Sequence, residues 1–173
     1  MAGGHKLWRA GIGQEVGPIQ PTREDFENNL LFRVTLRRFL RWSEDQARAA
    51  GLTAAKHQLL LAIKGDPNPA GPTIGEIADH LVLRHHSAVG LVDRAVKDGL
   101  VQRNPDPVSK SVVRVTLTPA GAAKRDALAE AHMQEIAHLA PAMQTLWRQL
   151  EDASDGNTPH PAARRPPRAT PTR

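Results

Sequence analysis

The chain has 173 residues, about one domain, of which 40% are apolar and only 3% aromatic, so its core must be aliphatic, which suits helices. It has no cysteine, which excludes disulfides, thiolate metal sites and cysteine redox sensing. No apolar run approaches the roughly 18 residues of a membrane span, and no apolar signal core opens the chain, so a soluble cytoplasmic protein without membrane contact is expected.

The net charge of +5 suggests a nucleic-acid partner until it is located along the chain. Residues 153–173 hold four Arg against one Asp, and residues 1–20 hold Lys6 and Arg9 against Glu15. The remaining 132 residues carry 17 basic and 16 acidic side chains, so most of the excess belongs to the tails. The local count is more telling. Between Arg84 and Arg114 there are six basic residues and three acidic ones, a modest basic footprint on one short stretch.

Residues 1–20 are glycine-rich and aperiodic and read as a flexible arm. Pro21-Thr22 then opens a helix, with Thr22 as cap and Glu24 and Asp25 in the first turn, where the helix dipole favours acids. Phe26, Leu30 and Val34 mark its turns, and Gly51 stops it near Ala50. At about 42 Å it is longer than one small core can cover, so part of its apolar face needs another partner. Thr53 caps a second helix, with Leu59, Leu60 and Ile63 facing inward and Gly65 at its end. The loop Gly65–Pro72 holds three prolines and two glycines, a clear breaker.

The stretch from Thr73 to Leu117 carries the functional signal. Thr73 and Glu76 form a capping box that opens a short helix, with Ile74, Ile77, Ala78 and Leu81 as its core stripe. A second helix follows from about His86 to Asp98. Val89, Val92 and Val96, with Ala88 and Ala95, are expected on its buried side. Ser87, Gly90, Arg94 and Lys97 recur at three- and four-residue steps on the other. Strands are expected at 100–103 and 112–117, joined through the turn chemistry of Asn104-Pro105-Asp106-Pro107. Helix, turn, helix and hairpin in that order predict a winged helix-turn-helix, which presents one helix to the major groove of DNA. The candidate DNA contacts are His85, His86, Ser87, Gly90, Arg94 and Lys97 on that helix, and Arg103, Lys110 and Arg114 on the wing.

Thr118-Pro119 starts another helix, with Leu128, His132, Ile136 and Leu139 as a stripe. Pro141 predicts a break, followed by a last helix to about Asp152 bearing Met143, Leu146, Trp147 and Leu150. From Ala153 onward, five prolines and four arginines without a large apolar residue predict a disordered basic tail.

Several short runs together resemble the MarR family of bacterial transcription regulators. They are Leu52-Thr53, Ile77-Ala78-Asp79-His80-Leu81, Leu91-Val92-Asp93-Arg94, Gly99-Leu100-Val101-Gln102-Arg103, and Val115-Thr116-Leu117-Thr118-Pro119-Ala120-Gly121. The resemblance covers about 25–152. It implies a mainly α fold with a small β-hairpin wing, a DNA-binding lobe at about 53–117, and dimerisation helices at about 22–50 and 119–152. It implies a homodimer joined through Phe26, Leu30, Leu139, Met143, Leu146, Trp147 and Leu150, set for a palindromic double-stranded operator. It also implies a small phenolic or carboxylic effector, for which Trp42 and His57 are the candidate pocket residues. The chain departs from the family at the wing tip. Where an Asp and two Arg are common, it has Ser109, Lys110 and Ser111. Lys110 can stand in only as a point charge, without the guanidinium fork.

His80, His85 and His86 lack the spacing and companion ligands of a metal site. No phosphate loop, nucleophile motif or carboxylate pair appears, so neither an enzyme nor a cofactor is expected. The expected function is a sequence-specific, homodimeric, effector-modulated repressor. Two alternatives stay open: a winged-helix interaction or ligand-sensing dimer without specific DNA binding, and an architectural protein that binds DNA through its Arg-rich tail.

Overall fold

The computed structural model describes residues 21–154, with side chains described as far as Arg148 and Gln149. The arm at 1–20 and the tail from 155 lie outside the described residues. Helix α1 spans Arg23–Ala49. Thr22 and Asp25 cap it reciprocally: the Asp25 carboxylate accepts the Thr22 amide at 2.7 Å, and the Thr22 hydroxyl accepts the Asp25 amide at 3.3 Å. It ends where Gly51 takes a φ of 72°, which glycine adopts without steric cost.

Helix α2 spans Ala54–Gly65 behind its cap Thr53 and buries His57, Leu59, Leu60 and Ile63. Helix α3 spans Ile74–His80, and its Thr73–Glu76 capping box is fully formed. Helix α4 spans His85–Lys97. Strands β1, Val101–Pro105, and β2, Val113–Leu117, pair antiparallel with Arg103 opposite Val115. Helix α5 then runs from Pro119 to Ser154.

The core lies among α2, α3, α4 and the hairpin. Leu59, Leu60, Ile77, Val92, Val101 and Val115 are its largest fully buried members, and each such side chain contributes about 1.5–3 kcal/mol of transfer energy. Ala47 of α1 and Leu128 of α5 join the same cluster. Contacts between α1 and α5 pair Phe32 with Trp147 and Ser43 with His132, and the α1 C-cap Ala50 meets Lys124. Numbers rise along one helix as they fall along the other, so the two are antiparallel.

Three expectations need correction. Pro141 does not break the last helix: α5 continues through it. Proline removes one hydrogen bond, but beyond it Leu146 is buried and Trp147 packs on Phe32, with ring centroids 5.6 Å apart, so packing outweighs the loss. The buried stripe of α4 is Ala88, Leu91, Val92 and Ala95. Val96 falls off the edge of that stripe and is exposed, while Val89 is half-buried. Finally, Asn104 and Pro105 belong to β1 rather than to the turn, which begins at Asp106. Proline is tolerated there because it ends a strand of a two-stranded hairpin.

Candidate nucleic-acid interface and adjoining cavity

Helix α4 is held by its apolar stripe and by two ionic ties. Lys56 of α2 pairs with Asp98 at the α4 C-cap, and Arg103 of β1 reaches Asp93 at 2.7 Å. His85 and His86 are exposed in its first turn, with Arg94 and Lys97 exposed further along. Ser87 is half-buried inside the helix, whose N-cap is Arg84 without a side-chain cap bond. Gly90 is half-buried, and a Cβ there would meet only the Arg94 guanidinium, at 3.4 Å. His80 does not join His85 and His86; its Nε2 lies 2.9 Å from Asp66. Among the described residues, no three His, Cys, Asp or Glu side chains gather as a metal-binding set.

The wing separates its three candidates. Lys110 is exposed at the tip, between Ser109 and Ser111, whose hydroxyls lie 3.1 Å apart. Arg103 is partly engaged by Asp93. Arg114 is a correction: its side chain is only 14% exposed and turns inward. It donates to Asp106 and to the Gly71 carbonyl. Alternation along β2 cannot reveal this, because the partners that draw the guanidinium inward lie on other segments. Its hydrogen bond, with the Ser109 and Val108 amides, holds the Asp106 carboxyl down at about 2.

A cavity of about 360 Å³ lies between α1 and the helix-turn-helix. Ser43 and Glu44 of α1, His57 and Gln58 of α2, and His80 of α3 give it polar groups, while Leu40, Leu83 and Leu91 are among its apolar walls. Trp42 is not part of this lining, a second correction. It faces the α1–α5 seam instead, with its ring 4.9 Å from His132 and 6.1 Å from Phe39.

Sequence reasoning missed Ser43 and gave His132 only a packing role. His132 is buried, and its Nδ1 donates to the Leu128 carbonyl at 2.8 Å. In the neutral ring, Nε2 must then accept the Ser43 hydroxyl, 2.8 Å away. The His57 ring lies beside that of His132, with centroids 4.6 Å apart and planes tilted by 46°. Burial, and secondarily the neighbouring His132, push the His57 pKa down.

Of the expected dimerisation residues, Phe26 and Leu30 on α1 and Trp147 on α5 are exposed. Leu139 and Met143 are half-buried, and Leu146 is buried. The Leu150 side chain lies outside the described residues. Leu31, Met133 and Ile136 extend the exposed apolar surface, beyond the residues expected from the sequence.

Two helices joined by a tight turn, followed by a hairpin that packs back on them, make a winged helix-turn-helix. A family model described as MarR family matches residues 50–110. The fold of the apo wild-type MarR from E. coli is similar, with 25% identity and a TM-score of 0.57, over 78% of this chain and 98% of that one. A mutant of the same protein complexed with operator DNA matches at 24% identity and TM-score 0.56, over 73% and 95% of the two chains. Bordetella bronchiseptica BpsR, in a structure concerning regulation of its DNA binding by 6-hydroxynicotinic acid, matches at 21% and TM-score 0.54, over 77% and 99%. No curated protein sequence matches the chain. The chain thus has the winged-helix fold of the MarR structures it resembles, and its segment 50–110 matches the MarR family model.

Proposed function

We propose that the protein is a homodimeric DNA-binding transcription regulator, acting as a repressor of sequence-specific operators. The observation that carries this is the outward face of α4. It presents His85, His86, Arg94 and Lys97 to solvent on a helix anchored on its other side by core packing and two ionic ties. Such a helix fits a major groove, where side chains on its first turns meet base edges and flanking cations meet phosphates. The family consists of transcription regulators, not enzymes. One structural relative is complexed with operator DNA, in keeping with this assignment.

The exposed apolar residues of α1 and α5 support a dimer, since Phe26, Leu30 and Trp147 leave a large apolar surface exposed among the described residues. Two copies would place their α4 helices in successive major grooves, about 34–36 Å apart. The cavity supports effector control. It lies between α1 and the helix-turn-helix, where a small phenolic or carboxylic ligand would bias the relation of one to the other.

A mobility shift with the duplex upstream of the protein's own coding sequence tests the assignment. Affinity is expected to fall about 10³–10⁵-fold between 50 and 200 mM salt if the dimer neutralises six to ten phosphates. Arg94→Ala is expected to weaken binding with the fold intact. A flat salt response, or wild-type affinity in Arg94→Ala and Lys97→Ala together, contradicts the proposed role of α4.

A further inference from the structure

The inward turn of Arg114 leaves its role to be assigned. Its guanidinium joins three pieces of the lobe. Nε donates to one oxygen of Asp106, at the head of the wing loop. Nη1 donates to the Gly71 carbonyl at 2.8 Å, in the segment leading into α3. The same nitrogen lies 3.5 Å from Glu76, the acid of the α3 capping box. The other Asp106 oxygen accepts the amides of Val108 and Ser109, each at 2.8 Å. Among the described residues, the side-chain hydrogen bonds and ion pairs tying the 106–112 loop to the helix-turn-helix all pass through Asp106 and Arg114. Beyond them the tip is bare: Val108 is 94% exposed, and Ser109, Lys110 and Ser111 are exposed too.

We propose that Arg114 is a positioning residue for DNA binding: without touching DNA, it fixes through Asp106 the place at which Lys110 meets the phosphate backbone. This rests on the DNA-binding function above. Lysine is a flexible point charge with no fork to align itself. Its contact therefore depends on where the loop delivers it, and a loop that must be ordered on binding weakens the complex. The brace uses a residue on β2 to tie to the helix-turn-helix a tip whose own Ser109–Ser111 contact stays local.

The decisive variant is Asp106→Asn, because two explanations predict opposite signs. Removing a negative charge beside DNA strengthens binding by electrostatics alone. Loss of the brace weakens it. Full-length wild type, Asp106→Asn, Arg114→Leu, Lys110→Ala and the Arg114→Leu/Lys110→Ala double variant are titrated onto the duplex from upstream of the gene, across a salt series.

Asp106→Asn and Arg114→Leu are expected to bind several-fold more weakly than wild type. Each should lower the salt slope by about one per protomer, as Lys110→Ala does. The double variant should bind no worse than either single one, because the same contact is lost. Amide exchange at Val108 and Ser109 should rise in Asp106→Asn, with α4 protection unchanged.

Tighter or unchanged binding by Asp106→Asn overturns the positioning role, as does an additive double variant, which would show Arg114 contacting phosphate directly. Unchanged exchange at the wing amides overturns it as well, and needs no DNA. If wild type binds no duplex at low salt, the DNA-binding assignment falls and the positioning role with it. Wild-type binding with a silent Asp106→Asn removes the positioning role alone.

Discussion

At Gly121, in the first turn of α5, an added Cβ would overlap the carbonyl oxygen of Leu100. That carbonyl is held in place, since it accepts the Thr118 amide at 3.1 Å. Neither backbone can yield cheaply, so Gly121→Ala is expected to lower stability by about 1–3 kcal/mol. An unchanged urea midpoint contradicts this close approach. Val82 presents the reverse case. It sits at a φ of 53° in the turn between α3 and α4, a region costly for a β-branched residue. Its side chain is 91% exposed, so no burial offsets the strain. Val82→Gly is expected to raise the thermal midpoint, by up to about 1 kcal/mol of stability. A lower midpoint would mean that Val82 gains contacts in solution that offset its backbone.

At the scale of elements, α5 is the exceptional one. An interior proline costs a helix about 3 kcal/mol or more, yet α5 passes through Pro141. Packing against α1 on both sides of Pro141 keeps it continuous, through His132 and Ser43 on one side and Trp147 and Phe32 on the other. Pro141→Ala restores the amide that the Ala137 carbonyl lacks. It is therefore expected to stabilise the helix, read as a higher midpoint by circular dichroism at 222 nm, the usual helix band. A lower midpoint would show that a bend at Pro141 is needed to seat Leu146 and Trp147. The helix-turn-helix, by contrast, was legible element by element. The Thr73–Glu76 capping box announces α3, and Gly99 marks the end of α4. The stripe of α4 was legible in period but shifted in face: Leu91 is buried and Val96 exposed. Which edge of a helical stripe is covered depends on the neighbouring element, here the hairpin and α2.

For the molecule as a whole, stability is expected to depend on pH through two groups. His57 titrates below its ordinary value of 6.5 because it is buried, with His132 adding to the effect. Its unfolded form therefore binds a proton before its folded form does. Its stabilising contribution is complete above pH 6.5 and is lost as pH falls below that value towards the lower folded pKa. Asp106 gives a second loss at lower pH, between its ordinary 3.8 and about 2, as the Arg114 and loop-amide contacts are surrendered. Urea midpoints measured against pH should show both falls, and His57→Gln should abolish the first. A midpoint flat from about pH 7 to pH 5 would contradict the burial effect.

Sequence by itself determined the order of the elements as far as Pro141, the caps of the first three helices, the aliphatic core and the exposed basic residues of α4. These depend on local periodicity and on hydrogen bonds only a few residues apart, so they can be read without a fold. Tertiary structure alone decided where the long-range side chains go. Arg114 finds Gly71 across 43 positions, and Ser43 finds His132 across 89. Neither pairing leaves a periodic trace, because a charged or polar side chain in a strand or helix looks the same whether it meets water or a distant partner. That is why Arg114 looked like a surface contact and Trp42 like a cavity wall. It is also why the wing brace emerged only once β2 lay beside the segment leading into α3.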